Sequence, residues 1–100
     1  MVVAEVTVIP IGTEGPSLSK YVGKALEKLE ESNVKYDLTS SGTILEGEMD
    51  EVLKGVKEMH ESVFDEDVLR VVTTLQIDDR RDKSLTIEGK KESVRKRLED

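Results

Sequence analysis

The chain has 100 residues, with 22 acidic against 15 basic side chains, one histidine, no cysteine and a net charge of −7. That length allows one small domain spanning 1–100, which can bury about 65 % of its unfolded surface. Without cysteine there are no disulfides, thiolate zinc sites, iron–sulfur clusters or cysteine nucleophiles, and His60 alone cannot make a multi-histidine metal site.

No metal and no cofactor are therefore expected. The longest apolar stretch, near Val6–Ile11, is too short to span a bilayer, and the N-terminus lacks a basic leader. The expectation is a soluble cytoplasmic protein with no membrane partner. The acidic balance argues against nucleic acid, whose phosphates need clustered Lys and Arg. Charged residues make up 37 %, while Asn33 and Gln76 are the only side-chain amides. That pattern is the composition of proteins from hot environments.

Val2 to Ile11 reads as a strand. Val2, Ala4, Val6 and Val8 point one way; Val3, Glu5, Thr7, Ile9 and Ile11 point the other. Pro10 suits a strand end. Residues 12–16 form a loop. Either Ser17, or Gly15 with Pro16 at the first helical position, caps an amphipathic helix over 17–32. Its apolar stripe is Leu18, Tyr21, Val22, Ala25, Leu26 and Leu29, and Asn33 terminates it.

Val34, Tyr36 and Leu38 alternate with Lys35, Asp37 and Thr39, a half-buried strand. Ser40-Ser41-Gly42 turns into a partner strand over 43–49. Gly47 leaves its side-chain phase open, since a glycine there is compatible with a bulge. Asp50 caps a second helix with Val52, Leu53, Val56, Met59 and Val63 on its stripe. A connection at 64–67 leads into a long strand, Val68–Asp78. Leu69, Val71, Thr73, Leu75 and Ile77 share one side of it; Val68, Arg70, Val72, Thr74 and Gln76 share the other. Asp79–Lys83 is a charged turn, 85–87 reads as extended, and Lys90–Leu98 as a short basic helix.

The order βαββαβ is the split β-α-β, ferredoxin-like plan, an α+β antiparallel sheet with helices on one face. The other face stays open. Its mixed apolar and polar character suits subunit packing, ligand binding or both.

Several functions of this fold fail on the residues. An RNA-recognition sheet needs exposed aromatics on its central strands, and only Tyr21, Tyr36 and Phe64 exist. A metal chaperone needs a cysteine pair. An acylphosphatase-like site needs an arginine in the first loop, which has none. No nucleophile neighbours His60 in the sequence.

In one strand phase Glu46 and Glu48 share the open face, giving negative charge for a cationic ligand. Arg70 lies on that face as a further candidate ligand contact, its alternative role being to pair with Glu5 across strands. Arg80 and Arg81, in the charged turn, offer an anion or subunit contact.

The strings Val8-Ile9-Pro10-Ile11-Gly12 and Gly15-Pro16-Ser17-Leu18-Ser19-Lys20-Tyr21-Val22 resemble a small family. So do Gly42-Thr43-Ile44-Leu45-Glu46-Gly47-Glu48, Asp50-Glu51-Val52-Leu53, Arg70-Val71 and Ile77-Asp78-Asp79-Arg80-Arg81-Asp82-Lys83. Together they span almost the whole chain in one order. The family is the thiamine-binding-like group related to the YkoF thiamine-binding proteins.

The resemblance implies a ferredoxin-like fold, dimers that pair into tetramers, and binding of thiamine or its hydroxymethylpyrimidine part without catalysis. YkoF-type chains carry two copies of the unit, so here two subunits would supply the equivalent arrangement.

Thiamine's aminopyrimidine wants carboxylate or hydroxyl partners, and its thiazolium favours an acidic or aromatic site. Under this resemblance Thr7, Thr39 and Thr43 supply hydroxyls and Glu46 and Glu48 charge, while Gly12 and Gly42 allow close backbone approach. The alternative is an assembly or regulatory module that binds another metabolite, or an anion at Arg80 and Arg81, between subunits.

Overall fold

A computed structural model describes residues 1–12 and 19–99. The elements are β1 (Val2–Pro10), α1 (Ser19–Glu30), β2 (Lys35–Leu38), β3 (Thr43–Gly47), α2 (Met49–Val63), β4 (Val71–Asp78) and α3 (Ile87–Glu99). The four strands form one antiparallel sheet in the order β2-β3-β1-β4, the ferredoxin-like arrangement. β1 is central because it is the most apolar strand. β2 and β4 are the edges.

The period-two pattern sorts the sheet as expected. Val2, Ala4 and Val6 of β1 and Leu45 of β3 face α1 and α2. There they meet Ala25 and Leu29 of α1 and Val52, Val56, Met59 and Val63 of α2, with Val34 and Val68 completing the core. α1 ends at Glu30. Ser32, rather than Asn33, closes it: the Ser32 backbone N–H and hydroxyl both donate to the Leu29 carbonyl, and the hydroxyl accepts from the Val34 N–H. The expected capping residues Gly15, Pro16 and Ser17 lie outside the described residues.

Gly47 does not introduce a bulge. β1 and β3 pair without interruption from Val2 opposite Gly47 to Val6 opposite Thr43. Thr43, Leu45 and Gly47 therefore face the helices, and Ile44 and Glu46 face away. Four expectations change. Glu48 is not on β3: the strand stops at Gly47, and Glu48 is the N-cap position of α2, its carboxylate 3.9 Å from the Met1 ammonium. Asp50 is accordingly in the first helical turn and is not the cap. β4 begins at Val71, because Asp65 folds the preceding segment into a turn. Its carboxylate accepts the N–H groups of Asp67 (2.8 Å) and Val68 (2.9 Å), which turns Val68 into the core and leaves Leu69 85 % exposed.

The fourth change concerns the C-terminal helix. It starts at Ile87, so 85–87 adds no strand, and its first turn covers part of the face expected to be open. The Ile87 N–H donates to the Glu46 carboxylate at 2.9 Å. Lys90 and Lys91 pair with Asp78 (2.8 Å) and Asp37 (2.9 Å) on the sheet edges. Under that turn Val3 is only 5 % exposed, whereas Ile9, on the same side of β1, is 43 % exposed.

Candidate functional site

Two of the concavities that flank the sheet concern the residues singled out above. The smaller, about 260 Å³, is a notch between α1, β1 and the β2–β3 turn. It exists because β1 outruns its neighbour. Beyond Val6 the strand is paired with β4 only, so Thr7 to Ile9 run along the notch with no strand on that side. Tyr21, Ala25 and Leu26 of α1 form one wall, and Met59 closes the base.

The turn opposite is held by Thr39. Its hydroxyl donates to the Gly42 carbonyl (2.9 Å) and accepts the Ser41 and Gly42 N–H groups (both 3.2 Å). Gly42 lets the turn lie directly against β1. A Cβ there would stand 2.9 Å from Thr7 Cγ2 and 3.0 Å from the Val6 carbonyl oxygen, closer than side chains pack.

Among the described residues the notch lining has no charged side chain, and it carries the hydroxyls of Tyr21, Thr7, Thr39, Ser40, Ser41 and Thr43. Those of Thr7 and Thr43 make no hydrogen bond to a described residue, and neither is a buried unsatisfied atom. Two neutral donor–acceptor groups thus stand without a described partner at the wall of a mostly apolar slot. The Lys20 and Lys24 ammoniums lie 5.6 and 5.9 Å from the Tyr21 ring centre, so that ring already holds cations.

The larger concavity, about 670 Å³, is a groove on the opposite face beside α3. Glu5, Asp37, Ile44, Gln76, Asp78 and Asp79 line it, together with Lys90 and Lys91. Three of its four carboxylates are occupied: Asp37 by Lys91, Asp78 by Lys90 and Asp79 by Arg81 (3.1 Å). Asp37, the nearest partner, holds the Lys91 ammonium above the usual lysine range. Glu5, registered between Ile44 and Gln76, has no ion pair with a described residue.

The residues singled out from the sequence thus fall in six places. Thr7, Thr39 and Thr43 converge on the notch. Glu46 is on the opposite face, 7 % exposed, its carboxylate engaged by the first N–H of α3. Glu48 is at the start of α2, away from both concavities. Gly12 follows β1 at φ +80°, a left-handed conformation that favours glycine, and lines neither.

Arg70 precedes β4 and does not meet Glu5, which the register sets opposite Gln76; the Arg70 carbonyl instead accepts the Ile11 N–H at 2.9 Å. Arg80 and Arg81 are each held by a neighbouring carboxylate. Arg80 makes a two-point contact with Asp82 (2.6 and 2.9 Å), and Arg81 pairs with Asp79. Those hydrogen bonds raise both guanidinium pKa values, and Arg80 lowers that of Asp82. Their charge is already matched locally, which weakens the case for an anion there.

The sequence pattern placed Glu5 on the open face but did not mark it as free. Tyr21 and Met59 were read only as core positions. Their convergence depends on how far β1 overruns β3, which periodicity does not encode. His60 Nδ1 lies 2.7 Å from the Thr73 hydroxyl, with Phe64 against its ring edge, and neither His60 nor Thr73 lines the notch or the groove.

Sheet order and helix placement define a ferredoxin-like α+β protein with a small, hydroxyl-bearing recess whose described lining is uncharged. The chain belongs to the family described as thiamine-binding protein, whose model matches residues 4–95. It is 50 % identical over 93 residues to the UPF0045 protein MJ1052 of Methanocaldococcus jannaschii, covering 93 % of this chain and 91 % of the relative. It is 46 % identical to the UPF0045 protein YqgV of Bacillus subtilis, over 99 % of both chains. The crystal structure of the M. jannaschii protein superposes with a TM-score of 0.86 at 48 % identity, over 93 % of this chain and 94 % of that one. A Thermotoga maritima protein given a provisional role in thiamine biosynthesis or salvage superposes at 0.75 with 30 % identity, over 93 % and 97 % of the two chains. No helix among the described residues is long and apolar enough to cross a membrane.

Proposed function

We propose that this protein binds a small aminopyrimidine cation of the thiamine type, without transforming it, as a self-associating protein. The family supports the ligand class. The observation that supports a site for it is the notch, a slot whose described lining is uncharged and whose wall carries the Thr7 and Thr43 hydroxyls, without a described partner. Its volume of about 260 Å³ lies below the range of sites that enclose a drug-sized molecule, and suits one heteroaromatic ring. The pyrimidine ring enters, its amino group and ring nitrogens meeting the two hydroxyls. The cationic end stays outside, where the acidic surplus of the chain favours it.

Self-association follows from the edges. β4 is eight residues long, contains neither proline nor lysine, and is an outer strand of the sheet. Strands of that kind are normally covered by a partner.

Calorimetric titration with thiamine, hydroxymethylpyrimidine and sulfate tests the ligand. The two pyrimidines should bind and sulfate should not. Thr43→Val, which keeps shape and removes the hydroxyl, should weaken binding up to about tenfold, the worth of one hydrogen bond. Glu46→Gln should leave it unchanged. Full affinity in Thr43→Val, or loss in Glu46→Gln, would move the site out of the notch. Heat from sulfate alone would favour the regulatory reading with an anion at Arg80 and Arg81.

A further inference from the structure

The helix α3 is docked by its first turn only. Ile87 is buried; every residue from Glu88 to Glu99 is exposed, including Val94 at 58 % and Leu98 at 81 %. Yet its pattern continues. Ile87, Lys90 and Lys91, at i, i+3 and i+4, share one side, and the structure shows what that side recognises: Ile87 buries against the sheet while the two lysines bind Asp78 and Asp37. Val94, Arg97 and Leu98 repeat the same spacing seven residues on and on the same side of the helix, an apolar and a basic residue recurring and Leu98 standing where the first repeat has Lys91. Arg97 has no ion pair with a described residue.

The helix as a whole is basic, with five basic and three acidic side chains against ten and nineteen in the rest of the chain. Its second half therefore carries an apolar and basic code with nothing beneath it. The surface that answers this code is an acidic, partly apolar sheet face, and half of this chain's own face is uncovered. There Ile9 and Val72 are register partners, 43 % and 42 % exposed, and Glu5 lies on the same face without an ion pair.

We infer that the second half of α3 docks on the uncovered half of the open sheet face of a second copy of this chain. Val94 and Leu98 cover Ile9 and Val72, and Arg97 meets Glu5. The first turn of α3 closes one end of its own sheet and the remainder closes its partner's, so each copy completes the other. Each groove beside α3 then lies inside the assembly.

This inference rests on the self-association proposed above, and the test separates the two. Sedimentation equilibrium is measured on the wild type, on V94E/L98E and on Lys96→Glu. Lys96 lies on the opposite side of α3, so Lys96→Glu controls for a change of charge alone. All three positions are exposed, and circular dichroism verifies folding. The expected result is a self-associating wild type, a dissociation constant at least tenfold higher in V94E/L98E, and little change in Lys96→Glu. A wild type monomeric at all concentrations overturns self-association and this inference with it. An assembling wild type unaffected by V94E/L98E, or equally weakened by Lys96→Glu, overturns the docking of α3 alone.

Discussion

The two faces of this sheet are made from alternate residues of the same strands and solve different problems. On the helix side, Val6 and Leu45 sit in a closed aliphatic core, and the notch at its edge is neutral. On the other side, at the residue before Val6 and the residue after Leu45, Glu5 faces a groove bordered by ion pairs and Glu46 accepts the Ile87 N–H of α3. The difference separates adhesion from recognition. The charged face binds the protein to itself: a helix to its sheet in this chain, and by inference a second copy. The neutral notch offers the unengaged hydroxyls that a heteroaromatic ring can use. A reading that seeks negative charge for a cationic ligand is drawn to the face where most of that charge already has partners.

The sharpest way to break this comparison is at two neighbouring residues. Leu45 is fully buried on the helix side, and Ile44 is half-buried on the other. Leu45→Ala should destabilise by about 2–5 kcal/mol through lost transfer energy and a cavity. Ile44→Ala should cost about 1 kcal/mol. Chemical unfolding with an unchanged m-value measures both. Equal losses would mean that the open face is packed as tightly as the core.

Next in size is Glu46→Ala. It strands the Ile87 N–H in a buried setting, at about 1–3 kcal/mol. The loss should fall on α3, seen as faster amide exchange over 87–99 while the sheet stays protected. Pyrimidine affinity should not move. If it falls, the two faces are coupled and their separation is wrong.

How much of this was legible beforehand depended on whether local pattern or tertiary contact decided the outcome. The sheet was legible because alternation in β1 leaves one face wholly apolar. The phase of β3 was undetermined at Gly47 and settled only by uninterrupted pairing with β1. Glu48 was assigned to the strand because alternation runs smoothly through it, and nothing local signals that the helix begins one residue later. Val68 and Leu69 were assigned to the wrong sides because the Asp65 turn spoils the alternation before the strand starts. The three threonines of the notch were named from a family resemblance. Their convergence also needs Gly42 against β1, a contact between residues distant in sequence. The docking of α3 was not legible, since it depends on one turn and one buried carboxylate.

A smaller effect tests the helix side by pH. Asp65 ties α1, through Lys24 at 3.3 Å, to the segment that leads into β4. Its pKa is lowered, chiefly by the Asp67 N–H and further by Lys24 and the Val68 N–H. A depressed carboxylate stabilises fully above its unfolded value of about 3.9 and loses that contribution as pH falls through the folded value. Stability should therefore be indifferent to Asp65 between about pH 5 and 7 and should fall below about pH 4. Asp65→Asn should flatten that acid limb in thermal melts, relative to wild type. An unchanged limb would assign acid sensitivity to other carboxylates, Asp82 beside Arg80 first among them.

The smallest expected effect is at the charged turn. Arg80 is exposed and grips Asp82 two residues away, so their pairing closes a local loop and bridges no two elements. Exposed ion pairs of this kind contribute between zero and about 1 kcal/mol. Arg80→Gln should change stability by less than about 0.5 kcal/mol, leave pyrimidine binding intact and produce no change in sulfate heat, because the guanidinium it removes was already satisfied. A large loss of self-association in that variant would show that Asp82 releases Arg80 to a neighbouring subunit. The charged face would then extend its adhesive role from α3 into the turn before it, and the notch would still stand apart as the proposed place for a ligand.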